Sequence, residues 1–125
     1  MADQNYNAVM VADVAADGTG TSNATPPLRG VLWGFHITYN SSLAVGTDVT
    51  IQAQLASGTW ATLLTLTDTK TSGYYPLQLA SVKADGAASG AFAHYVLTDE
   101  RLRFTVAGGG TQAIADAVTV IAKIV

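Results

Sequence analysis

The chain has 125 residues, no cysteine and a formal net charge of −3, and only 12% of its residues are charged although 49% are hydrophobic. The lack of cysteine excludes disulfides, cysteine-ligated zinc and thiol catalysis. The six basic residues are scattered, which argues against a nucleic-acid partner. Soluble domains usually carry about 25% charged residues. Such a low charge fits either an ordinary threonine-rich β-surface or a surface covered by copies of itself or by a partner.

The chain ends predict no targeting signal and no membrane span. Residues 1–6 lack the positive and apolar regions of a signal peptide, and the apolar stretch 117–125 is too short to cross a bilayer. We therefore expect a product that stays in the cytoplasm or leaves it only inside an assembly. Residues 1–125 read as a single domain, with 1–5 as a flexible N-terminal arm.

The first half of the chain alternates as strands do. Residues 6–16 place Ala8, Met10, Ala12 and Val14 on one face, and the Gly- and Pro-rich stretch 17–27 is predicted to be a loop. Residues 30–39 form the most apolar strand, because a period of two puts its largest side chains on one face. These are Val31, Trp33, Phe35, Ile37 and Tyr39.

The second half continues the pattern. Strands at 46–55 and 60–67 are predicted to form a hairpin around Ser57-Gly58, with Val49, Ile51, Ala53 and Leu55 inward on one arm and Trp60, Thr62, Leu64 and Leu66 sharing a face on the other. Because Pro76 cannot donate to a ladder, the extended stretch 74–79 is expected to be an edge strand or to begin at the proline. A loop is predicted at 80–93, a short strand at 94–97, a turn at 98–100, and strands at 101–107 and 117–125. In the last two, Leu102, Phe104, Val106, Val118, Val120, Ala122 and Ile124 point inward.

Eight strands joined by turns, with no significant helix, predict an all-β fold. The count and the two terminal strands are typical of an antiparallel β-sandwich of the jelly-roll type.

The sequence offers no catalytic constellation. His36 and His94 have no acid or second histidine at a ligand spacing, and the nine acids are dispersed, mostly at turns. Gly18-Thr-Gly20 and Gly108 to Gly110 lack the residues of a phosphate loop. We expect no enzyme, no metal site and no cofactor.

The ten aromatic residues divide into core and surface candidates. Trp33, Phe35, Tyr39, Trp60 and Phe104 are predicted to be core, whereas Tyr74 and Tyr75, beside a loop and a proline, are candidates for a surface contact.

Several segments together resemble a known class of protein. Gly30-Val-Leu-Trp, Leu43-x-x-Gly-Thr-Asp-Val-Thr-Ile, Tyr74-Tyr-Pro, Asp85-Gly86, Asp99-Glu-Arg-Leu-Arg-Phe-Thr-Val-Ala-Gly-Gly-Gly and the closing 117–125 are similar to tailed-phage capsid decoration, or cement, proteins. The resemblance spans about residues 29–125. It implies a jelly-roll-like virion structural protein that binds the outside of the capsid shell without catalysis. The implied partners are the major capsid protein and further copies of itself, as a homotrimer.

The contact residues are predicted from the residues themselves rather than from the resemblance. The second faces of the terminal strands are apolar, so Val9, Val11, Ile121 and Val125, with Tyr74 and Tyr75, are the candidates for the subunit or capsid contact. Two alternatives remain open: a trimeric tail-fibre or receptor-binding module, and a carbohydrate-binding module that would use Tyr74 and Tyr75.

Overall fold

The computed structural model describes residues 6–77, 79–82 and 88–125, and these residues form β-strands joined by turns and loops, with no helix. The expected arm at 1–5 lies outside the described residues. The strands are β1 (Tyr6–Val14), β2 (Gly20–Thr21), β3 (Leu28–Tyr39), β4 (Asp48–Gln54), β5 (Trp60–Leu66), β6 (Gly73–Pro76), β7 (Leu79–Val82), β8 (Ala88–Ala93), β9 (Tyr95–Glu100), β10 (Leu102–Ala107) and β11 (Ile114–Ile124). Over the same ranges, no segment has the helical length and apolarity needed to span a bilayer.

The strands pair into two main antiparallel sheets. In the five-stranded sheet, β11 lies between β1 and β3. The other side of β3 pairs first with β9 and then with β6, along successive stretches of its length. The four-stranded sheet has the order β2-β10-β4-β5, and β7 pairs only with β8 among the described strands. The predicted antiparallel β-sandwich is confirmed, although the structure has more strands than the eight expected.

The core lies between the inner faces of the two sheets. Alternate residues of β1, β4, β10 and β11 are buried in it as the sequence predicted, because a strand turns every second side chain to the same side. Its largest fully buried side chains include Phe35, Phe104, Met10, Leu32 and Ile37. β6 is an edge strand, which is one of the two predicted alternatives, but it spans Gly73–Pro76 rather than 74–79 and ends at the proline instead of beginning there.

The prediction for the most apolar strand is half wrong, because β3 contains a β-bulge. Lys123 pairs with Gly34 while the next residue of β11, Ile124, pairs with Leu32, so Trp33 is the extra residue. A bulge shifts the alternation by one position. Phe35, Ile37 and Tyr39 are therefore buried as predicted, but on the other side of the bulge Leu32 is buried and Trp33 is exposed. Trp33 is not a core residue.

The predicted faces of β5 are wrong, because this strand also contains a β-bulge. Ile51 pairs with Leu64 and Gln52 with Thr62, which leaves Leu63 as the extra residue. Thr62 is exposed rather than sharing an inner face with Leu64. Trp60 pairs with Gln54 on the outer side, where its ring lies 4.2 Å beneath the guanidinium carbon of Arg103.

The turn of this hairpin is where it was predicted, but the inward position of Leu55 is wrong. The amide nitrogens of Leu55 and Gly58 donate to the carbonyls of Thr59 and Leu55, which closes the turn around Ser57-Gly58. Leu55 follows the last residue of β4 and is exposed, because the chain turns away from the sandwich there.

The predicted loop at 80–93 is wrong in its described part. β7 and β8 pair antiparallel there, with Leu79 opposite Ala93 and Ala80 opposite Phe92. The predicted turn at 98–100 is also wrong, since these residues continue β9. Asp99 has a φ of 91°, and it is the residue left over where Leu28 pairs with Glu100 and Arg29 with Thr98.

The predicted loop at 17–27 holds two hydroxyls against the edge of β10. Ser22 and Thr25 are buried, and their side-chain oxygens accept hydrogen bonds of 2.9 Å from the backbone N–H groups of Phe104 and Leu102. The amides of Ser22 and Thr25 in turn donate to the Phe104 and Leu102 carbonyls. The segment thus continues the pairing that β2 begins. It provides hydrogen-bond partners for backbone amides on the edge of β10 that would otherwise be buried without one.

Gly18 and Gly108 to Gly110, which lack the other residues of a phosphate loop, allow close packing of backbone against backbone at one end of the sandwich. A Cβ on Gly18 would lie 2.8 Å from the Gly110 carbonyl oxygen, and one on Gly108 would lie 2.5 Å from that of Gly46. The Gly109 amide donates to Gly18, and its carbonyl accepts from Ala44. Three loops therefore meet backbone to backbone, with no room for side chains between them.

Candidate interaction surface

The two outer faces of the sandwich differ in chemistry. On the four-stranded sheet, the outward positions are mainly threonine and glutamine, as expected for a face in contact with water. They are Thr50, Gln52, Gln54, Thr62, Thr65, Arg103 and Thr105, together with Trp60, whose ring lies against the Arg103 guanidinium. Arg103 donates to the Gln52 side-chain oxygen at 2.9 Å. This face is therefore mainly polar.

The outer face of the five-stranded sheet carries a row of large side chains across four strands. Val9 of β1 pairs with Ile121 of β11, Ile121 pairs with His36 of β3, and His36 pairs with Tyr74 of β6. Directly paired residues in antiparallel strands have their side chains side by side on one face. Val9 is 52% exposed and Tyr74 48% exposed, so the row is a surface feature.

A second apolar row lies further along β3. Val31 pairs with Val96 of β9, and its amide and carbonyl exchange hydrogen bonds with those of Val125. Val96 and Val125 are both exposed. Between the two rows lies Trp33, which the bulge turns outward and leaves 44% exposed. We call the whole set (Val9, Val11, Val31, Trp33, His36, Tyr74, Val96, Ile121, Val125) the apolar outer face.

Charge is sparse on this face. Lys123, half-buried beside Gly34, extends from β11. At the far end of β3, Arg29 donates two hydrogen bonds of 2.7 Å to the carboxylate oxygens of Asp99. These bonds lower the pKa of Asp99 and raise that of Arg29. The pair is largely exposed to water, so it contributes little to stability.

The β3–β6–β9 side of the apolar outer face is aromatic. A Cβ on Gly34 would lie 2.6 Å from the Tyr74 hydroxyl oxygen, so the Tyr74 side chain extends from β6 across the backbone of β3 into the space that a side chain would fill. The Trp33 and His94 rings stack with centroids 4.3 Å apart and planes inclined at 36°. His94 Nδ1 is 3.3 Å from the Leu77 carbonyl oxygen. Both exposed aromatic side chains are thus held by neighbours.

The structure brings five of the six predicted contact residues together. Val9, Val11, Ile121 and Tyr74 belong to the apolar outer face, and so does Val125, which lies beside Val31. Tyr75 alternates with Tyr74, packs against the core and donates its hydroxyl to the Thr71 carbonyl.

Sequence reasoning missed Trp33, Val31 and Val96 on this face. Strict alternation assigned Trp33 and Val31 to the core, and Val96 fell in a strand too short to define a face. Gly34 between Trp33 and Phe35 was the one available signal, since a glycine inside a strand often marks a bulge.

The described residues gather no group of three or more metal-ligating side chains. The two acids that line a cleft of about 310 Å³, Asp99 and Glu100, have structural partners. Asp99 pairs with Arg29, and the Glu100 carboxylate accepts from the amide and hydroxyl of Thr98. His36 and His94 are separate members of the aromatic side and do not share a ligand site.

Comparison with known proteins finds similarity to solved structures at low sequence identity. No family model matches the sequence, and no curated protein matches it. Among solved structures, the chain is similar to the VP2 subviral particle of infectious bursal disease virus, with 13% identity and a TM-score of 0.41 over 97% of this chain and 32% of that one. A structure of the Gx strain of the same virus gives 13% identity and a TM-score of 0.36, over 98% of this chain and 32% of that one. The chain spans about a third of the length of these two chains.

Proposed function

We propose that this protein is a virion structural protein of a tailed phage that binds the outer surface of the capsid shell and stabilises it. It acts through protein–protein contacts and not through catalysis, and it requires no cofactor. Its partners are the major capsid protein and other copies of itself, as a homotrimer. Its place is the exterior of the virion. The similarity of residues 29–125 to decoration proteins supports the identity of the partner.

The observation that carries the proposal is the contrast between the two outer faces. A sheet face in water is normally polar, as the Thr- and Gln-rich face of the four-stranded sheet is. The opposite face presents Val9, Ile121, Val31 and Val96 instead. An apolar patch extending over several strands of a small domain marks a surface that another protein covers.

Self-association is assigned to the β1–β11 side of this face. There Val9 of β1 pairs with Ile121 of β11, and Val11, two residues further along β1, pairs with Thr119. These four side chains are uncharged, and three of them are aliphatic. Burying such side chains gives about 25 cal/mol for each Å² removed from water. A capsid contact through the same strands would be stabilised by burial of the same apolar side chains. Trimer formation and capsid binding are therefore tested by separate experiments.

A single lysine in this row tests self-association. In the Val9→Lys variant, burying the interface would require burying an ammonium group, which is strongly unfavourable. Val9 is exposed, so the variant is expected to fold. Sedimentation velocity at micromolar concentration is expected to show a trimer for the wild type and a monomer for the variant. The matched control, Thr65→Lys, places the same charge on the polar outer face and keeps the trimer.

A wild-type protein that sediments as a monomer would refute the trimer. Equal dissociation by both lysine variants would refute the assignment to the apolar outer face.

Copy number on purified virions tests the capsid role. A decoration protein is present in hundreds of copies over the shell, whereas a tail-fibre or receptor-binding module is present in a few. Quantitative mass spectrometry of virions, with immunogold labelling to locate the protein, distinguishes the two. Labelling confined to the tail would refute the proposal in favour of the tail module.

A further inference from the structure

The aromatic side of the apolar outer face has a chemistry that self-association does not use. Trp33 and Tyr74 are each nearly half exposed, and each is held by a neighbour: Trp33 stacks on His94, and Tyr74 occupies the space above Gly34. Because Gly34 directly follows Trp33, the two side chains flank the same short stretch of β3. We call Trp33, His36, Tyr74 and His94 the aromatic platform.

We propose that the aromatic platform binds a neutral polysaccharide, with sugar rings stacked on Trp33 and Tyr74. The apolar face of a pyranose presents C–H groups with partial positive charge, and these are attracted to the negative face of an aromatic ring. A flat, open sheet surface suits a long chain, which lies across it without an end entering a pocket.

The polar groups beside the rings fit the hydroxyls of a sugar. His36 pairs directly with Tyr74, so its imidazole lies beside that ring. Lys123 lies opposite Gly34 on the neighbouring strand and supplies ammonium donors. Imidazole, phenol and ammonium together provide donors and acceptors, as a hydroxyl-rich ligand requires.

The charges around the platform favour a neutral ligand. No carboxylate is paired with a platform residue across the described strands, and the Asp99 carboxylate at the end of β3 is engaged by Arg29. Lys123, opposite Gly34, is the one basic residue that pairs with this stretch of β3 in the described strands, whereas binding a polyanion takes several neutralising basic residues. The Val9–Ile121 pair is aliphatic, although His36 and Lys123 lie beside Ile121, so the platform is distinguished from it by its aromatic rings.

Affinity electrophoresis tests the proposal with three soluble neutral polysaccharides: dextran, yeast mannan and a pectic galactan. We expect the wild-type protein to be retarded by at least one of them. Removing one stacking ring, in Trp33→Ala or Tyr74→Ala, is expected to weaken binding about twofold to tenfold. The matched control is Trp60→Ala, which removes the tryptophan of the opposite sheet and is expected to leave the retardation unchanged.

A fluorescence titration avoids dependence on the folding of the alanine variants. The chain has two tryptophans, so in a Trp60→Phe background Trp33 is the remaining indole, and the retarding polysaccharide is expected to shift its emission to shorter wavelength. Val9→Lys, which tests self-association, is expected to keep sugar binding. Retardation by none of the three polysaccharides, an unchanged Trp33 emission, or equal weakening by Trp60→Ala and Trp33→Ala would overturn the proposal.

Discussion

Replacing Thr25 by valine tests whether the 20–25 segment is a structural part of the four-stranded sheet. The Thr25 hydroxyl accepts a hydrogen bond of 2.9 Å from the Leu102 amide, and Thr25 and Leu102 are both buried. Valine has nearly the same shape but cannot accept this bond, so the Leu102 N–H would be left without a partner in the core. The Thr25 amide would still donate to the Leu102 carbonyl.

The expected loss follows from two opposing terms. An unsatisfied buried donor costs about 1–3 kcal/mol, and the added buried methyl group returns somewhat less than about 1 kcal/mol. We therefore expect the free energy of unfolding to fall by about 1–2 kcal/mol. With a urea m-value of about 2 kcal/mol/M for a chain of this size, the midpoint would fall by about 0.5–1 M.

Urea unfolding followed by circular dichroism measures this shift. All proteins must be compared at one concentration, because association raises the apparent stability. The control is Thr65→Val on the exposed outer side of β5, which is expected to change the free energy by less than about 0.5 kcal/mol. A Thr25→Val midpoint equal to that of this control would refute the reasoning.

Three further predictions concern the core and two ionisable groups. Phe104→Ala should lower the free energy of unfolding by about 3–5 kcal/mol in the same urea assay, because it opens a cavity at a fully buried site. Arg29 lowers the Asp99 pKa, so the pair stabilises the fold at pH values above the ordinary aspartate range and loses this effect as pH falls through the lowered pKa. Between pH 2 and 6, the melting temperature of Asp99→Asn should therefore fall less steeply with decreasing pH than that of the wild type. Equal slopes for the two proteins would contradict this. Burial, with a smaller contribution from Tyr75, raises the Tyr39 pKa to about 12, and its hydroxyl has no hydrogen-bond partner within the described ranges. Tyr39→Phe should therefore keep or raise the free energy of unfolding and reduce the loss of stability as pH rises from about 10 to 12. In an alkaline titration followed by ultraviolet absorbance, the variant should lack the tyrosine ionisation at the highest pH. A titration curve unchanged at pH 12 would contradict the assignment.

Sequence reasoning recovered the features that depend on uninterrupted alternation. β1, β4, β10 and residues 118–124 of β11 have the predicted inward residues, because each keeps a period of two across the core. The same rule failed in β3 and β5, where Trp33 and Leu63 are inserted as bulges. A bulge is defined by pairing with the neighbouring strand, and single-strand periodicity contains no information about that partner.

The candidate surface was partly predictable for the same reason. Val9, Val11 and Ile121 lie on stretches of strand with regular alternation, so the sequence pattern alone predicted that their side chains point outward. Their alignment in one row with His36 and Tyr74 depends on the register of four strands. Trp33 was assigned to the wrong side because its outward direction results from the bulge, although it is central to the proposed aromatic platform.

The backbone contacts among Gly18, Gly46 and Gly108 to Gly110 give the sandwich two ends with unequal tolerance of change. At the glycine end, neighbouring loops touch without intervening side chains, so a longer loop or a bulkier residue there must force the strands apart. The hairpin turn at Gly58 lies outside this contact, and nothing lies within 4 Å of the position a Cβ would take there. We therefore expect insertions to be tolerated in the turn at Gly58 and to be excluded from the loops where the glycines meet.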